Sequence, residues 1–188
     1  MAHHDAGSDL GYVRDLVEKS DRRPTPSAVF LLWAAIILVG FALVDLARSW
    51  VGYFWMLAAP LGTLASALLA HRAGKSRGQL RRETSVRHAL HWCGMLVVIA
   101  LAVTLVVRGH VPRAELGRVI LLIVALGWWT AGVHFDRTFL LFGGIMMLGL
   151  VGTLVFPLYA WTTLGVLLSA GLTIAAFRRG GRRVSPAV

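Results

Sequence analysis

The sequence contains one cysteine, two lysines and no carboxylate in the middle of an apolar segment, and each shortage excludes a class of protein. Because Cys93 has no partner, no intrachain disulfide can form, and the fold does not depend on an oxidising compartment. Lys19 and Lys75 lie outside the apolar segments, which excludes a retinal Schiff base inside a membrane span. The missing carboxylates argue against proton- or sodium-coupled transport, which usually places an ionisable group at mid-bilayer.

Catalytic and nucleotide-binding motifs in their required context are missing as well. The chain has no GxxxxGK[ST], HExxH or CxxC pattern. Its one GxSxG match, at 74–78, lies in the polar connection after span two and not between a strand and a helix, so neither a phosphate-binding loop nor a nucleophile–base set is predicted. We therefore predict no catalytic residues, and a non-catalytic protein is favoured. Nucleic-acid binding is not predicted either, because the basic segments lack the aromatic side chains on which single-stranded bases stack.

Apolar residues make up 57% of the 188 residues, and the mean hydropathy is +0.70. A hydrocarbon core about 30 Å thick is crossed by roughly 20 apolar residues of helix, and six blocks have about that length. They predict an all-α, polytopic membrane bundle at 28–177, between a cytoplasmic segment at 1–27 and a basic tail at 178–188. Of the connections, only 72–87 is long. The predicted spans are 28–47, 50–71, 88–107, 117–134, 138–156 and 158–177.

The charge is lopsided, with a net value of +10. If both termini share one side of the membrane, fifteen of the 19 lysines and arginines fall on that side. The remaining four are Arg48, Arg108, Arg113 and Arg118. Since cytoplasmic loops carry the excess of basic residues, both termini are predicted to be cytoplasmic, with the protein in the inner (plasma) membrane. The same basic residues are expected to contact anionic lipid headgroups.

Apolar residues recur at helical spacing in the polar N-terminal segment. They are Leu10, Val13, Leu16 and Val17. The pattern predicts a short amphipathic helix at 9–20, which we expect to lie on the membrane surface. A docking site for a soluble cytoplasmic partner is the alternative.

The first three spans and the last three share a weak similarity. The tripeptide Gly-Thr-Leu at 62–64 recurs at 152–154, and several aliphatic residues of spans one and four match at the same shift. Three spans per half would make the halves a 3+3 inverted repeat, as in many transporters and channels. Chance matching of common membrane residues is the alternative.

Titratable side chains cluster near the predicted cytoplasmic ends of spans two, three and four. They are His71, His88, His91, His134 and Asp136. Because His88 and His91 are three residues apart, they share one side of a helix. Imidazoles from neighbouring helices can bind a transition metal or a haem iron, or sense pH near neutrality. The alternative is ordinary interfacial histidines with an apolar body and a polar tip.

Span two contains a proline at its centre. Pro60 is expected to kink the helix and free a backbone carbonyl. With Gly62 and Thr63, it marks the place where a non-ideal helix would line a cavity. Pairs of small residues four apart predict close packing inside the bundle, with a homo-oligomer interface as the alternative. These pairs are Gly62/Ser66, Gly127/Ala131 and Gly165/Ser169.

Composition and charge together favour a non-catalytic membrane module. The composition resembles that of small, arginine-rich proteins of bacterial inner membranes. Such a module would sense, regulate or assemble with a cytoplasmic protein partner or a second copy through its basic cytoplasmic face. A small transporter or channel with a cavity near Pro60 is the first alternative. A haem- or metal-binding protein that uses the histidines is the second.

Overall fold

The structure, a computed structural model, describes residues 25–75 and 82–181. Over these ranges the chain is all-helical, and six helices are long and apolar enough to cross a membrane, which indicates a multi-pass membrane protein. Short 3-10 turns at Arg48–Trp50 and Arg113–Glu115 precede the second and fourth of these helices. The helices are α1 (Ser27–Leu46), α2 (Val51–Lys75), α3 (Arg82–Val107), α4 (Leu116–His134), α5 (Thr138–Val155) and α6 (Ala160–Gly181).

The predicted spans agree with the helices to within a few residues, except beside the connection between spans two and three. Residues 72–87 are predicted as a long loop, yet α2 continues through Lys75 and α3 begins at Arg82. Hydropathy shows where a helix leaves the hydrocarbon, but the helix itself ends where helix propensity falls. Alanine, arginine and lysine favour helix, so α2 and α3 extend beyond their apolar segments. The predicted amphipathic helix at 9–20 and the tail beyond residue 181 lie outside the described residues.

The six helices form a ring in sequence order that is open at one place. α1 packs on α2, α3 on α4, α4 on α5 and α5 on α6, and α6 returns to pack on α1. Over the residues that the structure describes, α2 and α3 do not pack extensively on each other. Consecutive helices alternate in direction, so α1, α3 and α5 begin where α2, α4 and α6 end. We call this the Arg179 end of the bundle, and the opposite one the Asp45 end.

Four helices supply most of the core, and α2 and α3 lie at its edge. Buried residues of α1, α4, α5 and α6 form one cluster, in which Phe30 stacks on Phe139 with ring centroids 5.9 Å apart. Trp128 meets Phe142 edge-on at 5.6 Å, and Trp92 brings α3 to within 6.2 Å of Phe139. Large apolar side chains are exposed on the outside of all six helices, as expected where the surface faces lipid instead of water.

The interface between α1 and α6 carries hydrogen bonds at three heights. At one end, Asp45 accepts bonds of 2.8 Å from both the N–H and the hydroxyl of Thr162, near the start of α6. In the buried middle, the Ser169 hydroxyl donates to the Ala34 carbonyl at 2.7 Å. The guanidinium of Arg179 makes the third contact at the other end. Such bonds help to hold membrane helices together, because lipid tails are as apolar as the helix surfaces.

The predicted small-residue pairs contact neighbouring helices inside the bundle. A Cβ atom added at Gly127 would lie 2.6 Å from the Met95 sulfur of α3, and one at Gly165 would lie 2.7 Å from Cβ of Phe41 in α1. These positions therefore serve packing within one chain. A homo-oligomer interface elsewhere on the bundle stays a prediction.

Glycine also lets α4 and α5 approach each other closely. A Cβ atom added at Gly143 would lie 2.7 Å from the backbone nitrogen of Trp129 and 3.0 Å from the carbonyl oxygen of Ala125. Both are backbone atoms of α4, so they can move aside only if the helix shifts. At the next residue, Gly144, the nearest atom would be in the Trp129 ring at 3.7 Å, an ordinary van der Waals distance.

Gly143→Ala is therefore expected to lower the stability of the bundle by about 1–3 kcal/mol, the usual cost of overpacking a close contact. Gly144→Ala is the matched control, because it makes the same chemical change, with the same gain in helix propensity, one residue later. Thermal unfolding of the purified protein in detergent, followed by circular dichroism, measures both. Equal melting temperatures for the two variants would show that α4 and α5 are not in such close contact.

Candidate functional site

Arg179, near the end of α6, joins three separate segments of the chain. It donates hydrogen bonds to the Asp136 carboxylate at 2.7 Å, to the Thr138 hydroxyl at 2.6 Å and to the Thr25 carbonyl at 3.2 Å. Its guanidinium also lies 4.5 Å from the ring centroid of Phe30, within range of a cation–π contact. We call these five residues the Arg179 clasp. It connects the end of α6 to the start of α5 and to the start of α1.

The loop between α4 and α5 orients the carboxylate of the clasp. Oδ1 of Asp136 accepts a hydrogen bond from the N–H of Thr138 at 3.0 Å, and its backbone carbonyl accepts one from Phe139 at 2.9 Å. This is an Asx turn, and it leaves Oδ2 to face Arg179. A carboxylate is favourable here for a second reason, because the N-terminus of α5 carries partial positive charge.

Both charges of the clasp are largely buried, with the side chain of Arg179 19% exposed and that of Asp136 15% exposed. Burial raises the pKa of Asp136, but hydrogen bonds from Thr138 and Arg179, together with the charge of Arg179, outweigh burial. The pKa of Asp136 therefore lies below its ordinary value of 3.8. The carboxylate therefore stays ionised near neutral pH and keeps its charge opposite Arg179.

Four exposed arginines lie at the same end of the bundle, at the end of α2, the start of α3, the α4–α5 loop and the end of α6. We call them the basic face: Arg72, Arg87, Arg137 and Arg178. The ion pairs among the described residues are Arg179–Asp136 and Arg118–Glu115, so none of the four belongs to one. Asp136 does not offset their charge, because Arg179 already neutralises it.

Three of the four predicted histidines meet around one phenyl ring. The ring centroids of His88, His91 and His134 lie 3.8, 5.5 and 6.4 Å from that of Phe135. His88 is stacked on this ring, whereas His91 meets it edge-on. The structure thus brings histidines of α3 and α4 together around an aromatic side chain.

Backbone carbonyls of α4 orient two of these imidazoles. His91 donates through Nε2 to Gly127 at 3.0 Å, and His134 donates through Nδ1 to Thr130 at 2.8 Å. Because a carbonyl only accepts, each bond determines which ring nitrogen carries a proton. The His91 bond and the stacking of His88 on Phe135 tie the start of α3 to α4, whereas the His134 bond lies within α4.

The predicted metal ligands are only partly assembled. His71 is exposed near the end of α2, and Asp136 is bound to Arg179. Within 25–75 and 82–181, no group of three or more His, Cys, Asp or Glu side chains is placed to hold a metal ion. The transition-metal and haem predictions stay predictions, which metal analysis and a visible spectrum of the purified protein would test.

The predicted cavity residues lie on two different faces of α2. Pro60 is on the exposed surface of a continuous helix. Gly62 is buried against α1, where an added Cβ atom would lie 2.7 Å from the Ile36 side chain. The Thr63 hydroxyl donates to the carbonyl of Ala59 at 2.8 Å. The structure therefore brings Gly62, but not Pro60, against a neighbouring helix.

Sequence reasoning missed the contacts of both aspartates that adjoin apolar spans. Asp45 holds the start of α6, and Asp136 holds its end through Arg179. The available signal was physical: a carboxylate that is partly buried at a span boundary needs donors, and the apolar spans themselves supply few. Which donor it finds depends on helix packing, so the partner was not predictable from spacing.

Comparison of the chain with protein-family models, with curated proteins and with solved structures finds no match. The roles of the residues at the Arg179 end therefore rest on their geometry and chemistry alone.

Asp136→Asn is expected to destabilise the protein by about 1–3 kcal/mol at neutral pH, because Arg179 then keeps a largely buried charge without its counterion. Since the folded pKa of Asp136 is lowered, its contribution is complete above a pH of about 4 and is lost as the pH falls through the folded pKa. The difference in unfolding free energy between wild type and variant should therefore shrink in acid. Denaturant unfolding in detergent from about pH 7 to about pH 3 measures it; a difference that is constant with pH would argue against the ion pair.

Asp45→Ala is expected to cost about 0.5–2 kcal/mol, the usual effect of losing a side chain that caps a helix start, because Thr162 then loses its acceptor. Arg48→Gln is the matched control: it removes a charge three residues away that belongs to no ion pair within the described residues. Thermal unfolding measures both variants. If Arg48→Gln proved as damaging as Asp45→Ala, the capping role of Asp45 would be wrong.

Proposed function

We propose that this protein is a non-catalytic, multi-pass module of a bacterial inner membrane that senses, regulates or assembles with a partner through its basic face, which lies in the cytoplasm. The observation that carries the proposal is the Arg179 clasp. It holds the start of α1, the α4–α5 loop and the end of α6 together at the end that bears four exposed arginines. A positioned surface of positive charge is suited to recognise an anionic partner.

The distribution of basic residues supports the cytoplasmic orientation. The sequence segments joined to the helix ends at the Arg179 end, 1–27, 72–87, 135–137 and 178–188, contain fifteen of the 19 lysines and arginines. The four at the Asp45 end are Arg48, Arg108, Arg113 and Arg118. Cytoplasmic loops carry an excess of this kind. Both termini would then lie in the cytoplasm.

The interior favours sensing or assembly over chemistry. The buried polar side chains among the described residues are Thr153 and Ser169, and each donates its hydroxyl to a backbone carbonyl. Hydroxyls engaged in this way stabilise helices and their contacts, whereas a catalytic hydroxyl needs a neighbouring base that takes its proton.

A small transporter or channel is the alternative. It draws support from the proposed inverted repeat, in which α1, α2 and α3 correspond to α4, α5 and α6. The α1–α2 contact then corresponds to the α4–α5 contact, and the α6–α1 contact corresponds to the α3–α4 contact. The correspondence is incomplete, because α5 packs on α6 while α2 and α3 stay largely apart in the described ranges. The burial of Gly62 against α1 further weakens the proposed cavity.

Site-specific photocrosslinking in cells tests the proposal. A photoreactive amino acid at position 72 or 87, on the basic face, is expected to capture a protein partner or a second copy of the chain. The same group at position 48 or 108, at the Asp45 end, is the matched control and should capture neither. With the probe at position 72, replacing Arg87, Arg137 and Arg178 by glutamine should reduce capture by about tenfold or more, since each charge contributes to association.

Capture from the Asp45 end alone would place the functional surface on the wrong side of the bundle and overturn the proposal. Flux of protons, K⁺ or a small anionic dye in proteoliposomes would favour the transporter if Gly62→Leu abolished it. Gly52→Leu is the control for that assay, because a Cβ atom added at this position of the same helix meets nothing within 4 Å.

A further inference from the structure

The outward surface of α5 and α6 carries two exposed arginines at the Arg179 end. Arg137 lies just before α5, and Arg178 lies near the end of α6. We propose that this surface binds an anionic phospholipid, with the headgroup on these two arginines and an acyl chain along the two helices. The inference rests on the proposed function for its biological role and deepens it by naming a ligand of the basic face.

The geometry of α6 places Arg178 beside α5. It follows Gly171 by seven residues, so the two lie only about 20° apart around the helix. Gly171 faces α5, because a Cβ atom added there would lie 2.9 Å from the Phe142 ring. Since Arg178 is exposed, it lies at the outer edge of the contact between α5 and α6.

An apolar stripe runs from each arginine towards the middle of the bundle. Successive residues of a helix are about 100° apart around its axis. Two exposed residues of α5 therefore lie within about 40° of Arg137 around the axis, and two exposed residues of α6 lie within about 40° of Arg178. The farther residue of each pair is eleven positions away, about 16 Å along the helix, or about half of a 30 Å hydrocarbon core. That length suits one acyl chain in one leaflet, which favours a lipid over a free anion. The four residues are Leu141, Leu148, Leu167 and Ile174.

The Arg179 clasp makes the surroundings of Arg137 and Arg178 electrostatically favourable for a phosphate. Asp136 is next to Arg137 in the chain and would repel an anion, but Arg179 neutralises it at 2.7 Å. Arg137 and Arg178 belong to no ion pair with the described residues, and a guanidinium can donate two parallel hydrogen bonds to one phosphate. The net positive charge favours a lipid such as phosphatidylglycerol over zwitterionic phosphatidylcholine.

Native mass spectrometry of the full-length protein in detergent, titrated with phosphatidylglycerol or phosphatidylcholine, tests the site. Each basic residue near an anionic surface favours binding about fivefold, so Arg137→Gln/Arg178→Gln is expected to weaken phosphatidylglycerol binding about 20- to 30-fold. The matched control, Arg48→Gln/Arg108→Gln, removes two exposed arginines from the Asp45 end and should bind as the wild type does. All four positions lie outside the clasp, and thermal unfolding verifies that both double variants are folded.

A second variant separates a lipid from a free anion. Ile174→Trp fills the apolar stripe, so it is expected to weaken phosphatidylglycerol binding while the two arginines stay in place. Equal binding of the two lipids, or an equal loss in the control variant, overturns the lipid site. Full displacement by inorganic phosphate with no effect of Ile174→Trp overturns it as well, in favour of a free-anion site.

The outcome is separable from that of the proposed function. Purified protein in detergent has neither sidedness nor a protein partner, so lipid binding does not depend on what positions 72 and 87 capture in cells. Loss of the lipid preference leaves the crosslinking result unaffected, and failed capture leaves the lipid site unaffected.

Discussion

The contact between the first and last helices is the constraint on which the rest of the structure depends. In the described residues the other main helix contacts join sequence neighbours, so the packing of α6 on α1 is what joins the α1–α2 pair to the other four helices. Lipid provides no hydrophobic force between helices, and hydrogen bonds and close packing must hold this contact. Its polar contacts are Thr162–Asp45, Ser169–Ala34 and Arg179–Thr25.

Neighbouring arginines at the end of α6 have opposite roles. Arg179 is largely buried and bound to Asp136, so it fixes the geometry of the Arg179 end, whereas Arg178 is exposed and outside any described ion pair. A count of basic residues treats the two alike. The structure separates them, because one residue turns a side chain by about 100° around a helix and so from the interior to the outside. Structural and ligand-binding charge can therefore coexist at one end of the bundle without competing.

The number of helices and most of their bounds could be predicted from the sequence, because the length needed to cross a bilayer and the cost of burying charge both leave a pattern in hydropathy. The ends beside 72–87 could not, since those turns of helix continue outside the apolar segments. That His88, His91 and His134 lie near the same end of the bundle was likewise predictable, but whether they meet in space was not. The pairing of Asp136 with Arg179 was not, because it joins residues 43 positions apart whose proximity depends on how α4, α5 and α6 pack. Gly62 illustrates the same limit, because its small size does not show whether it lines a cavity or packs against a neighbouring helix.

The contact between α1 and α6 also determines when the bundle can finish assembling. The carbonyl of Ala34 receives its hydrogen bond from Ser169, which a ribosome adds 135 residues later. At about 5–20 residues per second, α1 waits roughly 7–27 s in the bilayer before α6 reaches it. During that interval the face of α1 that α6 finally covers must be occupied by lipid or by the insertion machinery, so assembly of this bundle is complete only when its last helix has been made.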